Sequence, residues 1–327
     1  MNFRYNSVYL NETSLVTGPY ELEGKYRKYF DKSYNDLSIG EKSWELSEIK
    51  LLKDSVDILL NKSDMTKNDI DLHISGDLLN QLVSTNYASK DIGIPLIGIY
   101  GACSTSMLGL IIASNMIESK QANNIICSVS SHNNSAEKQF RYPVEYGGPK
   151  RKMTTFTVTG GCSALVSNKK SKVRITSGTI GKVIDLGIKD VNNMGAVMAP
   201  AAADTLYTHL KENNLKPDHY DLIVTGDLGI YGSAILKEYM KKEYDITLKN
   251  YEDAGSNIYD KNPKFMAGGS GPACLPLVAY GYIFDKLKKH KYKKVLLIAT
   301  GALHSPIMCN EKLSIPAIAH AISLEVI

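Results

Sequence analysis

Cys103 is the residue of this chain with the clearest potential for chemistry. It lies in the run Gly101-Ala102-Cys103-Ser104-Thr105-Ser106, between an apolar stretch at 94–100 and an apolar-periodic stretch at 107–117. This order predicts a strand, a sharp turn and a helix. The free N–H groups and the dipole at a helix start stabilise a thiolate or a bound anion. The corner therefore suits a nucleophile or an anionic ligand, although a free cysteine is also often only a small buried apolar residue.

Two histidines follow predicted strands and are candidate partners of this thiol. His132 comes after the strand predicted at 124–131, and His304 after the one predicted at 294–301. Because the carboxyl ends of strands converge on ligand sites in α/β folds, either histidine could form a dyad with Cys103. A loop residue without a partner is an equally good interpretation of His304.

The composition is that of a globular protein with a sizeable core. The chain has 327 residues, enough for two fused domains, with 43% hydrophobic and 22% charged residues. The formal net charge is +4, and the lysines are spread along the chain apart from a short run at 288–294. That run is typical of a solvated connection, so no nucleic-acid partner is expected.

Cysteine usage and hydropathy restrict the compartment and the kind of site. The five cysteines are scattered without a CxxC pair. This pattern predicts neither a zinc site nor a disulfide framework and favours a reducing compartment. The polar start lacks the apolar core of a signal peptide, and no apolar run reaches the roughly 20 residues of a membrane span. We therefore expect neither a signal peptide nor a transmembrane segment.

An internal repeat divides the chain. Residues 71–78 read Asp-Leu-His-Ile-Ser-Gly-Asp-Leu, and residues 221–228, 150 positions later, read Asp-Leu-Ile-Val-Thr-Gly-Asp-Leu. Each copy follows a predicted amphipathic helix, at 44–60 and at 200–211. Glycine-containing helix starts at 101–103 and 268–271 open helices predicted to end near 120 and 289, and each helix leads into a buried-type strand.

These units predict a duplicated α/β protein. Strand–helix–strand units with continuous apolar strands imply parallel pairing and right-handed crossovers. The two halves are expected at residues 1–170 and 171–327, tightly fused, with the two glycine-containing helix starts facing each other. The first 40 residues are expected to be an irregular lead-in with one or two strands.

A duplicated α/β fold with a cysteine at the start of a central helix resembles the thiolase and ketoacyl synthase superfamily, which implies five layers in the order α/β/α/β/α. Longer motifs lie at 43–45 (Ser-Trp-Glu), 75–81 (Ser-Gly-Asp-Leu-Leu-Asn-Gln), 101–106, 130–133 (Ser-Ser-His-Asn), 139–143 (Gln-Phe-Arg-Tyr-Pro), 145–148 (Glu-Tyr-Gly-Gly), 198–205 (Met-Ala-Pro-Ala-Ala-Ala-Asp-Thr) and 267–271 (Ala-Gly-Gly-Ser-Gly). These motifs resemble the stage V sporulation protein AD family, the thiolase-like members of the SpoVA system of spore-forming bacteria. The resemblance extends from about residue 18 to residue 320.

The resemblance implies a protein that binds dipicolinic acid, pyridine-2,6-dicarboxylate, and assists its uptake, or that of its calcium complex, into the developing spore. It further implies other SpoVA proteins as partners, peripheral association with the spore inner membrane through them, and a homodimer. No cofactor is implied. The alternative is an acyltransferase of the thiolase or ketoacyl synthase type that uses Cys103.

Two departures from the superfamily pattern argue against catalysis. Condensing enzymes pair their cysteine with His and with His or Asn, which activate the thiol and polarise the second substrate. This chain has Asp227 at the position of the first partner and Gly269-Ser270-Gly271 at that of the second. A carboxylate near Cys103 also raises the pKa of the thiol. Cys103 is therefore the only candidate nucleophile, and we expect no catalytic activity.

Dipicolinate requires donors for two carboxylates and a flat slot for its ring. The helix starts at Cys103 and near Gly271 offer backbone N–H donors, and Arg141 offers a guanidinium fork. Arg141 lies among aromatic residues of the run 140–146, so stacking on Tyr142 or Tyr146 is an alternative role for it. The expected ligand-binding residues are Cys103, His132, Arg141, Asp227, Ser270 and His304.

The repeat-related Asp77 and Asp227 allow two interpretations. Carboxylate oxygens suit Ca²⁺, the ion that accompanies dipicolinate in spores, but a calcium site needs six or more oxygens. Two obvious carboxylates fall short of that number. The better-supported interpretation is that each aspartate caps the turn or helix that follows it, and no metal site is expected.

Overall fold

The computed structural model describes residues 1–141, 150–259 and 263–327, and its backbone is organised as two halves of the same design. The strands are β1 (Asn2–Arg4), β2 (Tyr9–Thr17), β3 (Lys32–Ser33), β4 (Leu72–Gly76), β5 (Leu96–Gly98), β6 (Asn124–Ser131), β7 (Phe156–Thr157), β8 (Gly160–Ser167), β9 (Val173–Ile180), β10 (Leu222–Thr225), β11 (Tyr251–Asp253), β12 (Gly269–Ser270), β13 (Lys294–Ala302) and β14 (Ala317–Val326). The helices are α1 (Trp44–Lys62), α2 (Val83–Ile92), α3 (Thr105–Glu118), α4 (Asn133–Phe140), α5 (Met194–Glu212), α6 (Gly229–Tyr244), α7 (Ala254–Asn257), α8 (Cys274–Pro276), α9 (Phe284–Lys288) and α10 (Pro306–Asn310).

The strand order is the same in both halves. It runs β5-β4-β6-β8-β2 in the first half and β11-β10-β13-β14-β9 in the second. β8 and β14 are antiparallel to their neighbours, whereas β4 pairs with β5 and β6, and β10 with β11 and β13, in parallel. The parallel units predicted from the apolar runs are present, and each half adds one antiparallel strand that the sequence pattern did not predict. The ends of β2 and β9 also pair, which joins the two sheets.

Helices cover both faces of each sheet and give five layers. Helix α3 contacts strands of both halves, so it lies between the sheets. Its Leu110 and Ile111 share one buried core with Ile125 of β6 and Ile322 of β14. Separate cores form under α1 and α2 on the outside of the first sheet, and under α5 and α6 on the outside of the second. The predicted α/β/α/β/α arrangement is confirmed.

Two predicted helices differ in detail from those observed. Helix α5 begins at Met194 rather than at Pro200, because the side chain of Asn193 accepts a hydrogen bond from the N–H of Ala196 and caps an earlier turn. The helix predicted from 273 to 289 is α8 and α9, joined by a π-helical stretch, Leu277–Ile283. The first 40 residues hold β1, β2 and β3, and β2 is a nine-residue strand with a largely buried second half.

The internal repeat is visible at the level of single hydrogen bonds. Asp71 Oδ2 accepts from the backbone N–H groups of residues 123 and 124 at 2.6 and 3.0 Å. Asp221 Oδ2 accepts from residues 293 and 294 at the same distances. Each aspartate thus ties the start of one strand to the start of its neighbour. The division expected between residues 170 and 171 falls between β8 and β9, and remains a prediction.

Within the described ranges, no helix combines the length and the apolar character required to cross a membrane. The same ranges contain no group of three or more His, Cys, Asp or Glu side chains arranged to hold a metal ion.

Candidate functional site

Cys103 lies at the sharp turn that the sequence predicts. A single helical turn, Ala102–Ser104, leads directly into α3, and Ala102 adopts a left-handed φ of 51°. Three hydrogen bonds hold the turn: Ser104 Oγ to the Gly101 carbonyl at 2.6 Å, Thr105 Oγ1 to the Ala102 carbonyl at 2.7 Å, and the Gly101 N–H to Thr105 Oγ1 at 3.0 Å. The position of Cys103 is therefore fixed by its immediate neighbours.

The end of β13 in the second half packs directly on this turn. A Cβ added to Gly301 would lie 2.2 Å from the carbonyl oxygen of Gly101, closer than any side chain can approach. Glycine at 301 thus allows contact between the backbones of the two halves. The Cys103 turn consequently lies where the halves meet.

A cavity of about 70 Å³ lies beside Cys103, with room for several water molecules. Most of its wall is apolar and comes from both halves. The first half contributes Leu78, Tyr100, Ala102, Ala136 and Phe140, and the second Met194, Met198 and Ala302. The polar or charged lining groups are Cys103, Glu137, Arg141, Thr157, Ser270 and His304. Four of the six predicted ligand-binding residues are therefore brought together.

The thiol of Cys103 is held in its protonated form. Burial and the neighbouring Asp227 raise the pKa of Cys103 well above its usual value, and the positive charge of Arg141 only partly opposes this. The backbone N–H groups of Gly271 and of Cys103 itself lie near enough to the sulfur to lower the pKa of the thiol, and so partly oppose the increase. Two N–H groups converging at a helix start can accept an anionic oxygen, so the corner is better equipped to hold an anion than to generate a thiolate.

Arg141 is the C-terminal capping residue of α4, and this position brings its side chain to the cavity. Its side chain is 15% exposed, and its Nη1 donates to Glu137 Oε1 at 3.3 Å. Glu137 and Lys150 were not singled out from the sequence. The signal that could have indicated Glu137 is its spacing of four residues from Arg141, which places both side chains on one face of a helix. The neighbouring Tyr142 and Tyr146 lie outside the described residues, and with them the remainder of the motifs at 139–143 and 145–148.

Ser270 and His304 are the other two predicted ligand-binding residues that line the cavity. Ser270 Oγ lies 2.9 Å from Thr155 Oγ1, a hydrogen bond between β12 and the residue before β7. His304 packs against Phe140 with 5.5 Å between ring centroids. Burial, with a smaller contribution from Arg141, lowers the pKa of His304 to about 4. The imidazole is therefore neutral at physiological pH.

Asp227 lies behind the cavity wall rather than in its lining. It is fully buried, and neither carboxylate oxygen has a hydrogen-bond partner among the described residues. Burial and the nearby Asp253 raise the pKa of Asp227 well above its usual value, although the N–H groups of Gly271 and Thr300 lie near enough to lower it slightly. Its burial next to Cys103 thus favours the protonated form of Asp227.

His132 has a structural role and does not line the cavity. Its Nε2 lies 2.8 Å from the carbonyl oxygen of Leu37, its Nδ1 accepts from the N–H of Asn134 at 3.1 Å, and its ring stacks on Trp44. It therefore caps α4. Neither His132 nor His304 forms a hydrogen bond with Cys103 within the described part of the chain, so neither dyad considered from the sequence is assembled.

Comparisons with known proteins agree with this architecture. The family model of stage V sporulation protein AD matches residues 2–325. Stage V sporulation protein AD of Bacillus subtilis (strain 168) is 44% identical over 319 residues, which cover 97% of this chain and 94% of that protein.

Two solved enzyme structures resemble this chain in fold at low sequence identity. The 3-oxoacyl-[acyl-carrier-protein] synthase III of Aquifex aeolicus VF5 is 14% identical with a TM-score of 0.55, and 98% of this chain and 97% of that chain are covered. Human mitochondrial 3-ketoacyl-CoA thiolase is 10% identical with a TM-score of 0.60 and 99% coverage of both chains. At such identities the likeness shows the fold alone. From the family match over nearly its whole length, the chain belongs to the stage V sporulation protein AD family and has a thiolase-like fold.

Proposed function

We propose that this sporulation protein binds dipicolinic acid, alone or as its calcium complex, in the cavity beside Cys103. We further propose that it assists uptake of the ligand into the developing spore together with other SpoVA proteins. The observation that carries the proposal is the presence of two kinds of anion-binding donor in one largely apolar cavity. These are the backbone N–H groups of Cys103 and Gly271 and the guanidinium of Arg141.

The chemistry of dipicolinate matches these donors. One carboxylate accepts from the two N–H groups at the helix start, where the helix dipole adds to the attraction. The other carboxylate pairs with Arg141, whose planar group suits a carboxylate. The flat ring packs against apolar wall residues such as Leu78, Phe140 and Met198.

We also propose that the cavity carries out no acyl transfer. Catalysis needs a thiolate and a base, whereas the raised pKa of Cys103 keeps its proton on the sulfur. The acid next to the thiol, Asp227, has a raised pKa and is not an imidazole base, and no imidazole is hydrogen-bonded to Cys103 within the described residues. The one observation that favours the alternative, an acyltransferase, is the pair of N–H groups at the sulfur, which would also suit an oxyanion.

Calorimetric titration of the purified protein with dipicolinate tests the binding proposal, beside a thiol-release assay with acyl-CoA. We expect saturable heat with dipicolinate and no thiol release. Cys103→Phe fills the cavity and should abolish the heat. The matched variant Cys309→Phe, in a half-exposed helix outside the lining, should bind like the wild type. Turnover of acyl-CoA that Cys103→Ser abolishes would support the acyltransferase, and absent heat with wild-type protein would refute dipicolinate binding.

For its location and assembly, we propose a homodimer associated peripherally with the spore inner membrane through SpoVA partners. Light scattering of the purified protein tests the first part, and a monomer at micromolar concentration would contradict it. Fractionation of spores that lack the other SpoVA proteins tests the second. We expect the protein to leave the membrane fraction in those spores.

A further inference from the structure

Glu137 is a buried carboxylate in the cavity wall, one helical turn before Arg141. Its side chain is only 3% exposed. Its Oε1 accepts from Arg141 Nη1 at 3.3 Å and also lies 3.0 Å from Lys150 Nζ. Its Oε2 is buried without a hydrogen-bond partner among the described residues. Both cations thus meet one oxygen of Glu137, and the other oxygen has no donor.

Among the described residues at the cavity, Glu137 offsets one of two positive charges. Arg141 and Lys150 are positive, and Glu137 is negative. Cys103 keeps its proton, and His304 is neutral, since burial raises the pKa of the thiol and lowers that of the imidazole to about 4. Among the described residues the lining and its ion pairs therefore present a net charge of one positive unit, while a dicarboxylate brings two negative units.

Arg141 is not fully used by this contact. Its hydrogen bond with Glu137 joins one guanidinium nitrogen to one carboxylate oxygen, whereas a guanidinium has five N–H donors. A ligand carboxylate can therefore bind Arg141 while Glu137 stays in place. In that arrangement the ligand and Glu137 are two carboxylates close to one cation, and they repel each other.

Provided that the cavity binds dipicolinate as proposed above, we propose that Glu137 controls how strongly the cavity prefers a doubly charged ligand over a singly charged one. Its carboxylate offsets one of the two cations and thereby weakens the preference for a dianion over a monoanion of the same shape. A residue that only positions Arg141 would support both ligands equally. The ratio of two affinities, rather than either affinity alone, separates the two roles.

The test is titration of wild-type protein and Glu137→Gln with dipicolinate and with pyridine-2-carboxylate at pH 7.5 and low salt. Glutamine keeps the shape and removes the charge. We expect the preference for dipicolinate to increase about tenfold. Glu137→Asp keeps the charge and should leave the ratio as in the wild type. Glu45→Gln is the matched control, because Glu45 of α1 pairs at 2.7 Å with Lys138 of α4, the helix that carries Glu137, but does not line the cavity.

An equal loss of affinity for both ligands in Glu137→Gln would show a positioning role and overturn the proposal. An unchanged ratio would overturn it as well. If wild-type protein binds neither ligand, the proposed function fails, and a second readout still tests Glu137. Arg141 favours the thiolate of Cys103, so removing the opposing charge of Glu137 should speed alkylation of Cys103 by iodoacetamide several-fold at pH 8. A rate equal to that of Glu45→Gln would refute an electrostatic role.

Discussion

Asp77 and Asp227 occupy equivalent positions after equivalent strands, yet within the described ranges only Asp77 accepts hydrogen bonds. Asp77 accepts from the backbone N–H groups of Leu79 and Thr85, each at 2.8 Å. In the second half Asp253 takes the capping role and accepts from the N–H groups of Gly229 and Ser256 at 3.0 and 2.8 Å. In the part of the chain that the structure describes, Asp227 is left without a hydrogen-bond partner beside Cys103. The repeat preserved the residue at this position while its environment changed.

Isosteric amides should separate the two aspartates. Asp77→Asn removes an acceptor from a buried backbone N–H, so we expect a loss of about 1–3 kcal/mol in the free energy of unfolding. Asp227→Asn puts a neutral amide in place of an acid whose pKa is raised by burial and which has no hydrogen-bond partner among the described residues. Its free energy of unfolding at pH 7 should therefore equal or exceed that of the wild type. Urea unfolding measures both. A larger loss for Asp227→Asn than for Asp77→Asn would contradict the assignment.

The raised pKa of Asp227 also predicts how the stability of the fold changes with pH. The folded-state pKa of Asp227 is raised, so the unfolded chain releases this proton first as the pH rises above about 4. The wild type should therefore lose stability relative to Asp227→Asn as the pH rises, by up to about 1.4 kcal/mol per pH unit, until the folded-state pKa is reached. Urea unfolding at pH 4 to 8 checks this difference. A constant difference across the range would show that Asp227 is ionised in the folded protein.

Part of the fold and of the candidate site could be predicted from the sequence, because those features depend on residues that are neighbours along the chain. The turn at Cys103 and the strand at 124–131 follow from local apolar patterns and turn residues. The role of His132 could not be predicted in this way, since its partners Trp44 and Leu37 lie far from it in the chain. The isolation of Asp227 likewise depends on the position of Asp253, which only the folded chain determines.

Cys103 should react slowly with iodoacetamide at neutral pH. Because the pKa of the thiol is raised by burial and by Asp227, its rate should increase about tenfold per pH unit from pH 7 to 9 without a plateau. Mass spectrometry of the Cys103 peptide gives the rate, and the half-exposed Cys309 is the internal reference. A plateau above pH 7 would mean that a thiolate is already formed and would favour catalysis.

Buried histidines should make the fold sensitive to acid. Burial lowers the pKa to about 4 in each of His73, His132, His209 and His320. As the pH falls below about 6.5 the unfolded chain takes up these protons and the folded chain does not, so stability is lost down to about pH 4, by about 1.4 kcal/mol per pH unit for each histidine.

One of these histidines allows a direct check. His209 lies between Thr179 Oγ1 and the Tyr220 hydroxyl, at 2.7 and 2.8 Å. In urea unfolding between pH 7 and 5, His209→Gln should lose less stability on acidification than the wild type. The exposed His290→Gln should follow the wild type. Parallel curves for all three proteins would contradict a neutral, buried His209.

We propose that Arg141 recognises one carboxylate of dipicolinate. A charge-assisted pair of this kind contributes about 1.5–3 kcal/mol, so Arg141→Ala should weaken binding roughly 10- to 100-fold. Arg141→Lys keeps the charge without the planar fork and should fall between Arg141→Ala and the wild type. Arg151→Ala, which removes an exposed cation paired with Asp190 at 3.6 Å, is the matched control and should bind like the wild type.

The most direct measurement is the dissociation constant of dipicolinate for wild type and Arg141→Ala, with pyridine-2-carboxylate titrated beside it. We expect that the wild type prefers the dicarboxylate and that Arg141→Ala loses most of this preference while Arg151→Ala retains it. Equal binding of dipicolinate by Arg141→Ala and the wild type, together with equal binding of the monocarboxylate, would contradict two-carboxylate recognition in this cavity.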